Sequence, residues 1–214
     1  MTQRVGMVGM GLMGQAFIHN MRKSQFYVQG FDVNPARMDD LAEQGGYPVD
    51  TPAAAAKDVD CVIASLPTSD IAREALLGPD GVAEGAAEGL YICDTTTARP
   101  EDSEALFADM VERGICYLDS CVSGTSTMAQ AGDLVVIAGG NEENFDACKP
   151  YFEGFSRAAY FMGPAGAGAR TKLVINLVLA GNRLALGEGM VLGEKAGLDT
   201  NNLLKVLQDG ASSS

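Results

Sequence analysis

The chain has 214 residues, of which 47% are hydrophobic and 20% are charged, a composition typical of a globular protein of one domain or one and a half. A formal net charge of -13 excludes the clustered Lys and Arg that bind a phosphate backbone, so we expect no nucleic acid partner. The five cysteines form no C-x-x-C pair and the N-terminus has no signal-peptide pattern, which favours a cytoplasmic protein with reduced thiols and no metal site.

Short β-rich segments alternate with longer helical patterns through most of the chain. The predicted strands cover residues 5–8, 27–31, 61–66, 90–93, 116–118, 134–138 and 158–161. The predicted helices between them cover residues 12–21, 35–42, 71–77, 101–111 and 142–152. This alternation predicts an α/β domain with a parallel, doubly wound sheet.

A run of small residues at 162–168 ends the alternation and marks a predicted boundary between residues 1–164 and 165–214. A helix over residues 169–196 would be about 40 Å long and would begin an incomplete all-helical C-terminal domain. Because Asn176 and charged residues interrupt its apolar stretch, we expect no membrane span. Its apolar side chains lie on several faces, which predicts further packing and a homodimer or homotetramer through the helical domain.

Gly9, Gly11 and Gly14 form a G-x-G-x-x-G motif directly after the first predicted strand and at the start of the first predicted helix. In this context the first glycine permits a tight turn, the second lets the backbone approach a pyrophosphate, and the third lets helix and strand pack closely. The helix N-terminus stabilises the phosphate charge. We therefore expect dinucleotide contacts at these glycines, at Leu12 and at Met13; a glycine-rich turn without a ligand is the alternative.

Asp32 ends the second predicted strand, about 20 residues after the glycines, where dinucleotide-binding domains carry an acidic residue. Its carboxylate would accept hydrogen bonds from the adenosine ribose and repel a 2′-phosphate, so a Rossmann domain that binds NAD is predicted over residues 1–164. Arg37 would weaken this preference if it turned toward the ribose. The alternative is an aspartate that serves only the turn before Pro35.

Hydroxyl-bearing loops follow two further predicted strands, at residues 95–97 and 120–127. Open α/β sheets bind ligands at the carboxyl ends of their strands, so Ser123 and Thr125 could hold a carboxylate there. Polar loops that satisfy only their own backbone are the alternative.

Lys172 and Asn176 lie one turn apart on the predicted long helix, where both could reach one small ligand. A lysine at a cleft can donate a proton to an alkoxide, or accept one from a hydroxyl if desolvation lowers its pKa. Taken alone, a helical lysine is more often a solvated surface residue.

Six motifs, in this order, resemble those of the β-hydroxyacid dehydrogenase family, which includes 3-hydroxyisobutyrate dehydrogenase and tartronate semialdehyde reductase. They are the glycine motif, Leu66 with Pro67, Asp94 with three threonines, Asp119 with Val122, Ser123 and Gly124, the glycine-containing segments 132–134 and 138–140, and segment 163–176. The resemblance implies that Lys172 is the catalytic lysine and that Asn176 orients the substrate. It further implies a substrate loop at Ser123 and Gly124 and cofactor contacts at Leu66, Pro67 and Thr96.

The chain also departs from the family pattern. Cys121 and Thr125 stand where the family commonly has a proline and a second glycine, and Ile175 stands where it commonly has a second asparagine. Thr125 with Ser126, and Arg170, slightly resemble the sulfolactaldehyde reductase branch. Family members continue past a segment similar to residues 210–214 into helices that close over the substrate.

The sequence therefore predicts an oxidoreductase that transfers hydride between NAD and a small β-hydroxyacid or its semialdehyde, with Lys172 as general acid and base. A polypeptide of these 214 residues alone is expected to turn substrate over poorly. Two alternatives stay open: a non-catalytic dinucleotide-binding scaffold, and an NADP-linked imine or aldehyde reductase of the same superfamily. Lys172 and Asn176 speak against the first alternative, and Asp32 against the second.

Overall fold

The computed structural model describes residues 3–210, which fall into two compact units that meet between Lys172 and Leu173. The sequence-based boundary at residue 164 lies in the loop before helix Ala167–Lys195, whereas the change of unit lies inside that helix. Of the family-like segment 210–214, residues 211–214 lie outside the described residues.

The first unit contains an eight-stranded sheet in the order β3-β2-β1-β4-β5-β6-β7-β8. Its strands are β1 Arg4–Val8, β2 Tyr27–Phe31, β3 Tyr47–Pro48, β4 Cys61–Ala64, β5 Tyr91–Asp94, β6 Cys116–Ser123, β7 Leu134–Gly139 and β8 Ser156–Phe161. The helices between them are α1 Leu12–Lys23, α2 Pro35–Glu43, α3 Pro52–Ala56, α4 Ser69–Leu77, α5 Val82–Gly85, α6 Pro100–Val111, α7 Ser126–Gln130 and α8 Glu142–Phe152. The strand order runs outward in both directions from β1, so the predicted doubly wound α/β class is confirmed.

Strand β7 departs from the predicted parallel arrangement. It pairs antiparallel with β6, whereas the other neighbouring strands of the described sheet pair in parallel. A parallel crossover needs about a dozen residues or more, usually including a full helix. The connection over residues 124–133 is shorter and holds only the five-residue helix α7, so the chain turns back beside β6.

Helices cover both faces of the sheet, and strand β4 shows how. Cys61 and Ile63 belong to the core cluster on one face, and Val62 and Ala64 belong to the cluster on the other, as the two-residue period of a strand requires. The first cluster includes side chains of α1 and α8, and the second includes side chains of α4 and α6. With both faces covered, the loops at the carboxyl ends of the strands remain to form a site.

The second unit comprises the rest of α9 Ala167–Lys195 and helix α10 Thr200–Asp209. Within it α10 packs closely on α9, because a Cβ on Gly193 would lie 2.2 Å from Cδ2 of Leu203. Among residues 3–210, only α9 is long and apolar enough to cross a membrane by length and composition, with a window of mean hydropathy 1.2 of which none is buried. The sequence predicted no membrane span because polar and charged residues interrupt this stretch, whereas α9 has the length and composition that such a span requires.

Candidate active site

The glycine motif forms the turn between β1 and α1, and its outer glycines are required by the backbone around them. Gly9 has a φ of +85°, and its N–H donates to the carbonyl of Phe31 at 3.0 Å. A Cβ on Gly9 would lie 2.4 Å from the carbonyl oxygen of Ser65, and a Cβ on Gly14 would lie 2.4 Å from that of Gly9. Side chains at these two positions would therefore push the turn apart.

Gly11 differs from Gly9 and Gly14 because the space in which its side chain would lie is open. A Cβ on Gly11 would meet no described atom within 4 Å, and the residue adopts an extended conformation with a negative φ. Gly11 is the N-cap of α1, and it supplies no side chain to satisfy the first amides of that helix. An open space in front of an uncapped helix N-terminus fits a dinucleotide pyrophosphate.

A cavity of about 500 Å³ extends from this turn across the carboxyl ends of β1, β2 and β4. Its lining includes the predicted cofactor residues Gly9, Gly11, Leu12, Met13, Asp32, Leu66 and Pro67, together with Val8, Phe31, Val33, Ser65, Ile71 and Ala75. Most of these side chains are apolar, and the acidic Asp32 lies among them, which suits the adenosine half of a nicotinamide dinucleotide.

Asp32 serves the local backbone and also lines this cavity. Its Oδ2 accepts from the N–H of Met10 at 2.6 Å, and its Oδ1 accepts from the N–H of Asn34 at 2.8 Å. A carboxylate offers about four acceptor sites, so two further hydrogen bonds from a ribose can still be accepted. Arg37 points its guanidinium at Asp40, at 3.0 Å, and so forms an ion pair within α2.

A second cavity of about 280 Å³ adjoins the first, because Met13, Ser65, Leu66 and Pro67 line both. The rest of its lining is Thr95, Thr97, Val122, Gly124 and Lys172. Lys172 is half-buried there, and burial lowers its pKa, while the nearby Cys121 thiol acts in the opposite direction. A lysine with a lowered pKa exchanges its proton closer to neutral pH than an exposed one does.

Thr96, a predicted cofactor residue, lies behind the cavity wall. It is 3% exposed, and its hydroxyl accepts from the N–H of Leu66 at 3.2 Å. Its own N–H donates to Oδ1 of Asp94 at 2.9 Å, and the Tyr117 hydroxyl donates to Oδ2 of the same carboxylate at 3.0 Å. Thr96 thus supports the loop that carries Leu66.

Thr95 and Thr97, on either side of Thr96, line the second cavity. The hydroxyl-bearing loop 95–97 was predicted to lie at a ligand site, but the cofactor contact was assigned to Thr96. Consecutive residues leaving strand β5 point in alternating directions, which separates Thr96 from its two neighbours.

The remaining predicted site residues are Ser123, Gly124, Thr125 and Asn176. Gly124 lines the second cavity, Ser123 ends β6 half-exposed beside it, and Thr125 is the N-cap of α7, where its hydroxyl accepts from the N–H of Met128 at 3.2 Å. Asn176 is exposed and belongs to the second compact unit, four residues after Lys172 in α9.

Taken together, the doubly wound sheet and the cavity at its glycine turn define a nicotinamide-dinucleotide-binding oxidoreductase. Residues 4–163 match the family model of the NAD binding domain of 6-phosphogluconate dehydrogenase, and residues 166–214 match that of the NAD-binding of NADP-dependent 3-hydroxyisobutyrate dehydrogenase. The chain belongs to the β-hydroxyacid dehydrogenase family.

Individual relatives agree with this membership. The chain is 34% identical to an uncharacterized oxidoreductase of Shewanella frigidimarina, over 99% of this chain and 73% of the relative. It is 31% identical to the 3-sulfolactaldehyde reductase of Escherichia coli, over 97% and 70%. The structure of Mycobacterium tuberculosis 3-hydroxyisobutyrate dehydrogenase with L-serine matches 99% of this chain and 72% of that one, with a TM-score of 0.89 and 29% identity.

Proposed function

We propose that this oxidoreductase transfers hydride between NAD and a small β-hydroxyacid or its semialdehyde, with Lys172 as the general acid and base. The observation that carries the proposal is the pair of adjoining cavities that share four lining residues. Asp32 lies at the first cavity and Lys172 at the second, so a dinucleotide and a small substrate could meet between them.

The chemistry follows from these positions. Held by the glycine turn and Asp32, an oxidised dinucleotide would supply the hydride acceptor for the alcohol carbon, and a reduced one would supply the hydride for the carbonyl carbon. During oxidation Lys172 Nζ accepts the hydroxyl proton, and during reduction it donates that proton to the carbonyl oxygen. Because burial lowers the pKa of Lys172, the neutral amine that oxidation needs is present at lower pH than for an exposed lysine.

A small carboxylate is the substrate class that the second cavity supports best. Its lining offers Thr95, Thr97 and Gly124, and the half-exposed Ser123 lies beside it. We assign carboxylate binding to Ser123, Gly124 and Thr125, and substrate orientation to Asn176. The M. tuberculosis structure contains L-serine, and the E. coli relative is named for sulfolactaldehyde. Both are small acids that carry an oxygen one or two carbons beyond the carbon bearing the acid group.

The proposal is tested by offering NAD and NADP to the full-length protein with a panel of small 3-hydroxy acids and following reduced nicotinamide by its absorbance. NAD-linked oxidation of at least one acid is the expected result. Dinucleotide binding without oxidation of any acid would favour the non-catalytic scaffold. Activity with NADP alone would favour the NADP-linked reductase. NADP is the cofactor named in the description of the second family model.

Asp32→Ala is expected to reduce the preference for NAD over NADP. The substitution removes the negative charge that would repel a 2′-phosphate and the acceptors for the ribose hydroxyls. It also removes the acceptor for Met10 N–H, so weaker binding of both dinucleotides is expected. The measurement is the ratio of the two dissociation constants; an unchanged ratio would contradict the NAD assignment.

A polypeptide of these 214 residues alone is expected to bind NAD but to turn substrate over poorly. The cofactor cavity is formed within residues 8–75. This chain covers 73% of the S. frigidimarina relative and 72% of the M. tuberculosis structure, and we assign closure of the substrate site to the part of such proteins that is not covered. The comparison is a chimaera that adds the C-terminal region of the M. tuberculosis homologue. Equal kcat for both proteins would contradict the expectation.

We further place the protein in the cytoplasm, as a homodimer or homotetramer assembled through its helical domain and without a nucleic acid or membrane partner. Support for the assembly comes from the large apolar side chains that α9 exposes, such as Leu177 at 73% and Leu192 at 70%.

A further inference from the structure

Asp119, near the middle of strand β6, lies beneath the first turn of helix α9. Its carboxylate is buried, with the residue 2% exposed. Oδ1 accepts from the N–H of Gly166 at 2.9 Å, and Oδ2 accepts from the N–H of Ala169 at 2.8 Å. One side chain therefore binds two amides of the segment in which α9 begins.

Two glycines make room for this contact. A Cβ on Gly139, the partner of Asp119 in the ladder between β6 and β7, would lie 2.6 Å from Oδ1 of Asp119. A Cβ on Gly168 would lie 2.4 Å from the carbonyl oxygen of Asp119 and 2.8 Å from its Oδ2. At Gly168 the helix therefore contacts the backbone of the sheet directly, without an intervening side chain whose rearrangement could compensate for a shift of the helix.

The pKa of the Asp119 carboxyl is raised overall. Burial is the largest cause, and the neighbouring Asp94 carboxylate adds to it, while the amides of Ala169 and Gly166 act in the opposite direction. A helix N-terminus carries a partial positive charge that favours an anion at this point. The carboxylate and the first turn of α9 therefore stabilise each other inside the fold.

We propose that Asp119 is a positioning residue for Lys172, and that it sets how this lysine enters the second cavity by holding the first turn of α9 on β6. The inference rests on the proposed role of Lys172. Lys172 follows Ala169 by three residues, which is about 4.5 Å along the helix. A shift of the first turn would move the ammonium group by a comparable amount, and misplacement by about 1 Å can lower a rate by about 100-fold.

A helix cap that only stabilises the fold would have no such effect, and Asn141 provides the matched control. Its Oδ1 accepts from the N–H of Glu143 at 2.8 Å and of Asn144 at 3.3 Å, at the start of α8. Helix α8 carries no residue of the site. Asn141→Ala removes the acceptor for two amides of a helix start. Asp119→Asn replaces one of the two acceptor oxygens by an NH₂ group, which cannot accept from the amide that faces it. Only the second change loosens the helix of Lys172.

The test uses the environment of Lys172 as well as activity. Lysines are methylated with ¹³C-formaldehyde, the Lys172 signal is assigned by its loss in Lys172→Arg, and its pH titration is followed by NMR. In the wild type this signal is expected to titrate below the range of an exposed lysine, because burial lowers the pKa of Lys172 more than the Cys121 thiol raises it.

In Asp119→Asn the titration should move toward that of an exposed lysine, and kcat of the unmodified protein should fall by about 10-fold or more. The Kd for NAD should stay within about twofold, because the cofactor cavity lies on other strands. Asn141→Ala should change neither the titration nor kcat. A wild-type titration and kcat in Asp119→Asn, or equal effects of both variants, would overturn the proposal.

Two features keep the result interpretable. If no hydroxy acid is oxidised by the wild type, the proposed function fails, while the NMR titration still decides whether Asp119 positions Lys172. If Asp119→Asn does not fold, hydrogen exchange of the wild type takes its place. Slow exchange at the amides of Gly166 and Ala169 supports the contact, and exchange as fast as in exposed turns overturns it.

Discussion

In the full-length enzyme, Lys172→Ala is expected to lower kcat by about 100-fold or more while leaving the Kd for NAD nearly unchanged. The lysine lines the second cavity, whereas the turn at Gly9, Gly11 and Gly14 supplies the proposed pyrophosphate site in the first. Loss of the amine removes the group that takes the hydroxyl proton, and it leaves the cofactor contacts in place. Steady-state kinetics with the best acid of the panel and a fluorescence titration of the dinucleotide give the two values.

Two further variants show whether the effect belongs to proton transfer. Lys172→Arg should not restore kcat, because a guanidinium is bulkier and holds its proton far more tightly than an amine. Lys149→Ala is the control, since Lys149 is an exposed lysine that pairs with Asp146 on α8, away from both cavities. Near-normal turnover in Lys172→Ala would mean that the proton moves through another group.

Gly11→Val is expected to weaken NAD binding by about 100-fold or more, equivalent to about 2.8 kcal/mol, with little change in melting temperature. The position has a negative φ and open space around its would-be Cβ, so the fold tolerates a side chain there. The same space is where the pyrophosphate would approach the N-terminus of α1, and a branched side chain would occupy it. Calorimetric titration and thermal unfolding measure the two quantities separately.

The neighbouring glycines provide the contrast for this variant. Gly11→Ala should give an intermediate loss of affinity, because its side chain is smaller. Gly14→Val should instead lower the melting temperature, since its Cβ would lie 2.4 Å from the carbonyl oxygen of Gly9. Normal NAD affinity in Gly11→Val would place the pyrophosphate elsewhere.

The sequence predicted most elements that have a long hydrophobic period. Strand β2 and helix α8 have the predicted bounds, most other long elements differ by a few residues at their ends, and β6 runs five residues further than predicted. The missed elements β3, α3, α5 and α7 have two to five residues, too few to show a period, and the ten-residue helix α10 was missed as well. The antiparallel direction of β7 was missed because pairing direction depends on the connection and not on the strand's own residues.

At the candidate site, the sequence located the residues whose roles are local. The glycine turn joins β1 to α1, and Asp32 follows the neighbouring strand β2. The structure places the turn and Asp32 in one cavity. Contacts between distant segments were beyond sequence patterns. Asp119 binds Gly166, 47 positions further along the chain, and Thr96 binds Leu66, 30 positions before it. Contacts over such separations leave no periodic pattern or fixed spacing in a single sequence.

Direct transfer of hydride from substrate to NAD is the central claim, and isotope labelling tests it most directly. The best acid of the panel is prepared with deuterium on its hydroxyl-bearing carbon and incubated with the full-length protein and NAD, and the nicotinamide product is analysed by mass spectrometry. We expect one deuterium in the reduced nicotinamide for each acid oxidised, and far less product per unit time in Lys172→Ala. Oxidised acid accompanied by unlabelled nicotinamide, or no reduced nicotinamide with any acid, would contradict the account.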